Sequence, residues 1–462
     1  MERVHLIGIG GSGMSAIARL LLEMDYQVSG SDRAASPILD ELRNMGASIV
    51  VGHHIDAILQ AQSVVRSSAV PDEDPEVVLA LQAGIPVLKR ADFLGKIMTG
   101  RTVIAVAGTH GKSTTSAMLA WVLSSLGMDP SFLVGGQVRN LGVNAHAGQG
   151  SYFVIEADEY DRMFLGLNPN IEIITNVEHD HPDCYPTELS FQEAFLAFVD
   201  RIQPGGSLVA CEQDPGARLM LAHARQKQLS LIAYRDVEIS SSGSVTENRV
   251  YAANIEFNSF GCPVFTALIK GQQVQVDLKV PGRHNILNSL AVLSVASLLG
   301  LPLDETARAL GTFSGVGRRF EVRGEPDGVA IIDDYAHHPT EIRATLAAAR
   351  SRYPGRTFWT VWQPHTYSRT QLLQDDFAQA FSETDHLIVT EIFAAREPAQ
   401  DYSSSQVVKR MQDPSVLWIP RLEDVTSFLL ENLKPGDVLL VLSAGDATWI
   451  SEQVQQSLEK RI

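Results

Sequence analysis

The stretch "VIAVAGTHGKSTTSAML", residues 103–119, decides how the chain is read. An apolar run is followed by a glycine turn carrying Lys112 and Ser113, and then by a helix-compatible run. A strand, a glycine turn and a helix in that order make an anion site, because open backbone N–H groups and the positive end of the helix face the ligand. Gly108 and Gly111 open the backbone, Lys112 neutralises phosphate, and Ser113 offers its hydroxyl to Mg²⁺. The usual phosphate loop carries a further glycine where this chain has Val106, so the loop is a shortened one. A mononucleotide triphosphate with magnesium is the expected ligand.

Composition bounds what surrounds that loop. With 462 residues, 45% hydrophobic and 20% charged, the chain has core enough for two or three domains. Fifty-four acids against 37 bases give a net charge of −17, and no Lys/Arg block is present, which argues against nucleic acid as a partner. Cys184, Cys211 and Cys262 are far apart and match no metal spacing, so they read as reduced structural thiols. The longest apolar run, near "LAVLSVASLLGLPL", is too short to span a membrane. No targeting segment is read, and a cytoplasmic location with no membrane partner is expected.

Upstream of the loop, short apolar runs alternate with helix-like segments: "VHLIGIG", "MSAIARLLLEM", "QVSGSD", "ILDELRNMG", "ASIVVG", "SVVRSSAV", "EVVLALQAG" and "IPVLKR". That alternation predicts a parallel sheet with crossover helices, residues 1–97. A second α/β unit, 98–314, contains "TVIAVAG", "YFVIEAD", "IEIITNV" and "GGSLVAC" as strands and "FQEAFLAFVDRI" as a helix. Residues 240–280 alternate in the antiparallel manner, as an insertion or edge sheet, before the helical "HNILNSLAVLSVASLLG". The pattern restarts from about 315 with "GVAIIDDYA", "TFWTVWQP", "HLIVTEIF" and "DVLLVLSAG", giving a third α/β unit, 315–462. The expectation is three domains, each on a mostly parallel α/β sheet, the outer two Rossmann-like and the central one of the phosphate-loop ATPase type.

"GIGGSGMSA" sets Gly8, Gly10 and Gly13 in a G-x-G-x-x-G arrangement after a strand and before a helix, and Asp32 ends the next strand. This is a dinucleotide or nucleotide-diphosphate site; the residues alone do not separate NAD from a UDP-sugar. Glu156 and Asp158 end one apolar strand and His181 follows another, at the sheet edge that carries the phosphate loop. Oxygen ligands with one imidazole suit Mg²⁺ or Mn²⁺ beside a triphosphate. Asp180, Asp183 and His179 read as supporting groups. Asn285 and Asn288 stand one helical turn apart and are able to face a common ligand, or to cap the helix. "IIDDYAHHPTE" ends a strand with Asp333, Asp334, Tyr335, His337 and His338, and "VWQPHTYSRT" ends the next with His365 and Arg369. Strand C-termini of an open α/β sheet face the ligand crevice, so these form a third ligand-facing edge.

In this order and across nearly the whole chain, "GIGGSGMSA", "GTHGKST", "EADE", "TNVEHDHPD", "GRHNILN", "RRFE", "DDYAHHPTE" and "QPHTYSRT" resemble the Mur ligase family. The resemblance implies a short phosphate loop, Gly108, Thr109, His110, Gly111, Lys112, Ser113 and Thr114, cradling ATP, with Ser113, Glu156 and His181 around magnesium and Lys112, Glu156 and His181 as catalytic groups. It implies Asn285 and Asn288 at adenine, and Arg319 and Asp334 at the phosphates and ribose. A UDP-sugar would meet Gly8, Gly10, Gly11, Ser12, Gly13, Ser31, Asp32, Ser67 and Ser68, and the amino-acid or muramyl end would meet Tyr335, His337, His365 and Arg369. Thr366 departs from members that carry arginine there. Later-acting members use a carbamylated lysine, and no lysine occurs between Lys112 and Lys227. That favours the branch that joins L-alanine to UDP-N-acetylmuramate with ATP, by way of an acyl phosphate, in peptidoglycan synthesis, or the similar peptide-recycling branch, acting as a monomer or homodimer. Two rivals stand beside it. An NAD-dependent oxidoreductase leaves Lys112, Glu156 and His181 without a role, and a nucleotide-binding regulatory module would bind ATP without turnover.

Overall fold

The computed structural model describes residues 2–236 and 248–461. Three sheets follow one another along the chain. The first has five parallel strands in spatial order Ser48–Val51, Gln27–Asp32, Arg3–Ile7, Ser63–Arg66 and Val87–Lys89. The order reverses at Arg3–Ile7, and the crevice beyond such a reversal is where open α/β sheets bind ligands. Gly8–Gly13 occupies it and runs into the helix Ser12–Glu23.

The second sheet has ten strands. Its parallel centre runs Ser230–Asp236, Ser207–Cys211, Ile171–Ile174, Thr102–Ala107, Tyr152–Glu156 and Ser131–Val138. Thr102–Ala107, Tyr152–Glu156 and Ile171–Ile174 are therefore neighbours, which brings the phosphate loop, Glu156 and the segment before His181 to one edge. The expected antiparallel segment is present as Arg249–Phe257, Pro263–Ile269 and Gln272–Asp277, which continue the same sheet instead of forming a separate one. The part of that expectation on 237–247 lies outside the described residues. Ser131–Val138 with its antiparallel partner Val143–His146, and Ser230–Asp236, were not read from sequence.

The third sheet orders Glu321–Gly324, Ala330–Asp334, Val438–Ser443, Phe358–Gln363, His386–Val389 and Val416–Trp418, parallel except for the first. The three units are not joined alike. One continuous apolar core includes Ile17 and Leu20 of the first unit with Ala105, Phe153 and Phe164 of the second. The third unit keeps its own cores on the two faces of its sheet, around Trp362 and Phe377 and around Val361 and Ile388. It meets the second unit through Val316, buried in a core of that unit, and through the polar residues described next.

Candidate active site

The phosphate loop takes a backbone that only glycine supplies cheaply. Gly108 has φ +137° and Gly111 φ +79°. A Cβ on Gly108 would collide with Thr175 Oγ1, and one on Gly111 would lie 2.7 Å from Asn288 Oδ1. Lys112, first residue of the helix Lys112–Ser125, donates from Nζ to the carbonyls of Gly108 (2.5 Å) and Thr109 (3.1 Å) and to Glu159 Oε1 (2.9 Å). Burial works against its charge, but Glu159, with Glu156 and Asp158 behind it, raises the Lys112 pKa above the ordinary lysine value. Glu159 is 1% exposed, and burial alone would protonate it; Lys112 and His181 outweigh that and hold it ionised. Sequence reading passed over Glu159, although it is the third acid of "EADE".

Ser113 Oγ donates to Glu156 Oε1 at 2.9 Å, while Glu156 Oε2 accepts from Gly135 N at 2.6 Å. Two oxygens at that separation suit adjacent ligands of an octahedral cation with arms of about 2.1 Å. His181, held at φ +54°, sets Nε2 3.4 Å from Glu159 Oε1, so the structure brings it to Glu159 and gives no direct contact with Glu156. Its Nδ1 is buried without a partner, as is Glu159 Oε2. The hydroxyl and carboxylate oxygens of Ser113 and Glu156 suit a hard divalent cation, whereas His181 is drawn to Glu159 and does not converge with Glu156 on one point.

The third unit closes over this edge with ion pairs. Arg369 donates from Nε and Nη2 to the two oxygens of Asp180 at 2.7 and 3.1 Å, both side chains under 5% exposed. Arg369 is therefore committed largely to the second unit, where the sequence reading expected it to face a ligand. Arg396 pairs with Asp183 at 2.8 Å and lies 3.8 Å over the Tyr160 ring. His110 of the phosphate loop stands between Glu178 (2.9 Å) and Glu341 (3.4 Å). Burial opposes its charge, but the bonds to these two carboxylates lift its pKa to about 9. Asp180 and Asp183, read from the sequence as supporting groups, thus act across the boundary between units together with Glu178, Glu341 and Arg396, which only pairing in space reveals.

Two cavities meet here. One, of about 630 Å³, is lined by His110, Ser113, Thr114, Asn285, Asn288, Arg319 and Asp334. The other, of about 760 Å³, takes Ser12, Gly13 and Arg90 from the first unit, Lys112, Glu156, Glu159 and His181 from the second, and Tyr335, His337, His365 and Arg369 from the third. Ser113, Val316, Arg319 and Glu341 line both. Within the first cavity Asn288 Nδ2 donates to Asn285 Oδ1 (2.9 Å) and Asn288 Oδ1 accepts from Thr115 (3.2 Å), so the two asparagines are linked to each other. Asp334 already accepts from Phe320 N, Ala336 N and Thr345 Oγ1. Arg319 lies 5.1 Å over the Tyr335 ring and 3.3 Å from Glu341.

At the first glycine loop Asp32 accepts from Gly10 N at 2.8 Å, which fixes the loop. Ser31 donates to buried Glu76, and Ser67 packs beside Gly8, where a Cβ would be 3.2 Å from its own. Ser68 follows in the same turn, and Gly11 precedes the helix that Ser12 and Gly13 open. Arg90, missed by sequence reading, packs on Gly13, donates to Asp158 at 2.9 Å, and has a buried Nε with no partner.

Comparison with known proteins matches this architecture. Residues 3–102 match the family model described as Mur ligase family, catalytic domain; 106–296 the Mur ligase middle domain; and 318–445 the Mur ligase, glutamate ligase domain. The chain is 40% identical over 462 residues to the UDP-N-acetylmuramate–L-alanine ligase of Nitratidesulfovibrio vulgaris (strain DP4), covering 98% of each. Its fold is similar to that of the UDP-N-acetylmuramate-alanine ligase MurC of Thermotoga maritima, with a TM-score of 0.81, 26% identity and 100% of both chains covered. It is also similar to a murein peptide ligase of Psychrobacter arcticus 273-4, at TM-score 0.73 and 27% identity with 100% of both covered. Three consecutive matches spanning almost all of the chain, on the three sheets that build the two cavities, place it in the Mur ligase family.

Proposed function

We propose that this chain joins L-alanine to UDP-N-acetylmuramate, cleaving ATP to ADP and phosphate, in peptidoglycan precursor synthesis. The observation that carries this reading is the meeting of the two cavities at Ser113 and Arg319, with Lys112 on the side of the second. ATP would lie in the first cavity along His110–Thr114, with adenine near Asn285 and Asn288 and the ribose near Asp334. The UDP-sugar would run from Gly8–Gly13, Ser31, Asp32, Ser67 and Ser68 into the second cavity past Arg90. Its lactyl carboxylate then attacks the γ-phosphate, and the amine of alanine attacks the resulting acyl phosphate.

Charge that develops on the transferring group is met by Lys112 and Arg319, already oriented by Glu159 and Glu341. Ser113 and Glu156 would hold a Mg²⁺ ion, which supplies further charge neutralisation when bound. Tyr335, His337 and His365 take the amino-acid end, with Arg369 as the link that brings the third unit over it. We take 1–97, 98–314 and 315–462 as the working domains, the third closing last to keep the acyl phosphate dry. Among the described residues no helix is long and apolar enough to cross a membrane, and a cytoplasmic location belongs to this reading.

The test is phosphate release with ATP, Mg²⁺ and UDP-N-acetylmuramate, comparing L-alanine, glycine, L-serine and a peptidoglycan tripeptide. Release dependent on L-alanine is expected. Release with the tripeptide alone would assign the chain to peptide recycling, and none with any acceptor would defeat the ligase reading.

A further inference from the structure

Where the third unit meets the second, two imidazoles and a carboxylate gather at a point to which phosphoryl transfer assigns no step. His110 comes from the phosphate loop, Glu178 from the segment after the strand Ile171–Ile174, and His338 is the N-cap of the helix Pro339–Arg352. Glu178 Oε2 lies 2.9 Å from His110 Nε2 and 3.9 Å from His338 Nδ1, and one ligand atom from each residue falls within 4.8 Å of the others. Ligand atoms around a tetrahedral Zn²⁺ ion, with bonds of about 2.0–2.1 Å, stand about 3.4 Å apart. The separations of 2.9 and 3.9 Å bracket that spacing.

Each group is already turned to that point. His110 Nδ1 faces Glu341 Oε1 at 3.4 Å, which leaves Nε2 aimed at Glu178. A carboxylate on the far nitrogen is what commonly orients a metal-bound histidine. Glu178 Oε1 accepts from Thr340 Oγ1 at 2.9 Å, so Oε2 is the oxygen presented to the two rings. His338 is 2% exposed, yet among the described residues its ring makes one hydrogen bond, accepted by Nδ1 from Thr340 N at 3.3 Å, and Nε2 makes none. Burial, with the charge on His110 beside it, lowers the His338 pKa to about 4, so Nδ1 keeps a lone pair for a cation.

We propose that His110 Nε2, Glu178 Oε2 and His338 Nδ1 bind a divalent ion of the Zn²⁺ class, with water as fourth ligand, and that the bound ion ties the third unit to the phosphate loop. The ion takes the place of the proton that His110 Nε2 shares with Glu178, and that proton passes to water. Two imidazoles and one carboxylate select Zn²⁺ over Mg²⁺, which requires an octahedron of oxygens. The site is therefore chemically distinct from the oxygen pair of Ser113 and Glu156. An ion reaches it through the first cavity, which His110, Glu178, Thr340 and Glu341 line. Two ligands belong to the second unit and one to the third, so a bound ion holds shut a boundary that must reopen in each turnover, and Zn²⁺ inhibits. Inhibition rests on the ligase reading above; binding does not.

The experiment first titrates the nucleotide-free full chain, in excess Mg²⁺, with Co²⁺ as a visible probe and with Zn²⁺ by calorimetry. One ion per chain is expected, with the intense visible absorption of four-coordinate Co²⁺, displaced by Zn²⁺. His338→Asn keeps a good helix cap and Glu178→Gln keeps the side-chain shape. Groups that merely support a metal ligand are worth about 10–100-fold in affinity, so loss of a ligand should weaken Zn²⁺ binding at least ~100-fold in either variant. Phosphate release with ATP, Mg²⁺, UDP-N-acetylmuramate and L-alanine is then followed at free Zn²⁺ set by a metal buffer. The parent should be inhibited over the range in which Zn²⁺ binds, and each variant, scored against its own Zn²⁺-free rate, should need at least ~100-fold more. Six-coordinate Co²⁺ spectra, or parental Zn²⁺ affinity in both variants, would overturn the site. Zn²⁺ binding that the variants lose, in a parent that Zn²⁺ does not inhibit, would overturn the tie between the units. A parent that releases no phosphate even without Zn²⁺ would defeat the ligase reading, and the Co²⁺ and calorimetric results would still decide the site.

Discussion

Gly8–Gly13 and Gly108–Gly111 both leave a central parallel strand and open a helix, so both offer backbone N–H groups to an anion. What surrounds them differs. The first loop is held by Asp32 on Gly10 N, and Arg90, drawn toward Asp158, packs against its Gly13. The second has Lys112 and His110 within it, with Glu159, Glu178 and Glu341 arranged around them. On the proposed reading the same backbone device serves two purposes. A lightly charged loop is enough to hold a diphosphate in place, whereas transferring a phosphoryl group needs charges fixed in advance where charge moves.

Removing the central cation of each loop tests the contrast. Lys112→Ala should depress turnover at least ~100-fold while leaving UDP-sugar affinity nearly intact. Calorimetry showing lost UDP-sugar affinity with unchanged ATP affinity would exchange the roles of the two loops. Arg90→Ala should do the reverse on a smaller scale, weakening UDP-sugar binding about tenfold, as loss of a charge-assisted contact does, with ATP affinity unchanged. An Arg90→Ala protein that binds the sugar nucleotide normally would confine Arg90 to pinning the first unit on Asp158.

Both loops were legible because their chemistry is local: glycines, Lys112 and Ser113 fall within a few residues of a strand end. Their partners were not. Lys112 meets Glu159 47 positions away, and Arg369 meets Asp180 across 189. An acid that neutralises a distant cation looks in sequence like any surface acid. Arg369 shows the limit most clearly: its strand-end position predicted a place in the cleft, which it has, but Asp180 takes two of its three donor nitrogens. Ser131–Val138 escaped because Gly135 and Gly136 interrupt its apolar pattern. Those glycines are there for contact: a Cβ on Gly135 would lie 2.8 Å from Glu156 Oε2, and one on Gly136 would lie 2.6 Å from Val316 Cγ1.

The smallest effect comes from a second buried glutamate in the sheet that carries the phosphate loop. Glu172 lies on the strand Ile171–Ile174, paired with Ala105 of the loop's own strand, and is fully buried with neither carboxylate oxygen bonded. Glu159 is ionised because Lys112 and His181 face it; Glu172 has no such partner among the described residues, and burial, with Asp200 adding to it, pushes its pKa well above the usual carboxylate range. A raised folded-state pKa means that the folded chain binds the proton more tightly than the unfolded one. Its stabilising contribution is full below the unfolded value of about 4.3 and is lost as pH rises toward the folded value. Glu172→Gln keeps the shape and cannot ionise, so its stability relative to the parent should grow with pH, from near zero at pH 4 to about 1 kcal/mol or more at pH 7. Glu159→Gln should be destabilising over the same range, because it leaves Lys112 buried without its carboxylate. Denaturant unfolding of the two variants between pH 4 and pH 8 makes the comparison. A Glu172→Gln difference that stays flat with pH would mean that Glu172 is ionised in the fold, and that this sheet tolerates a buried charge without the partners that Glu159 has.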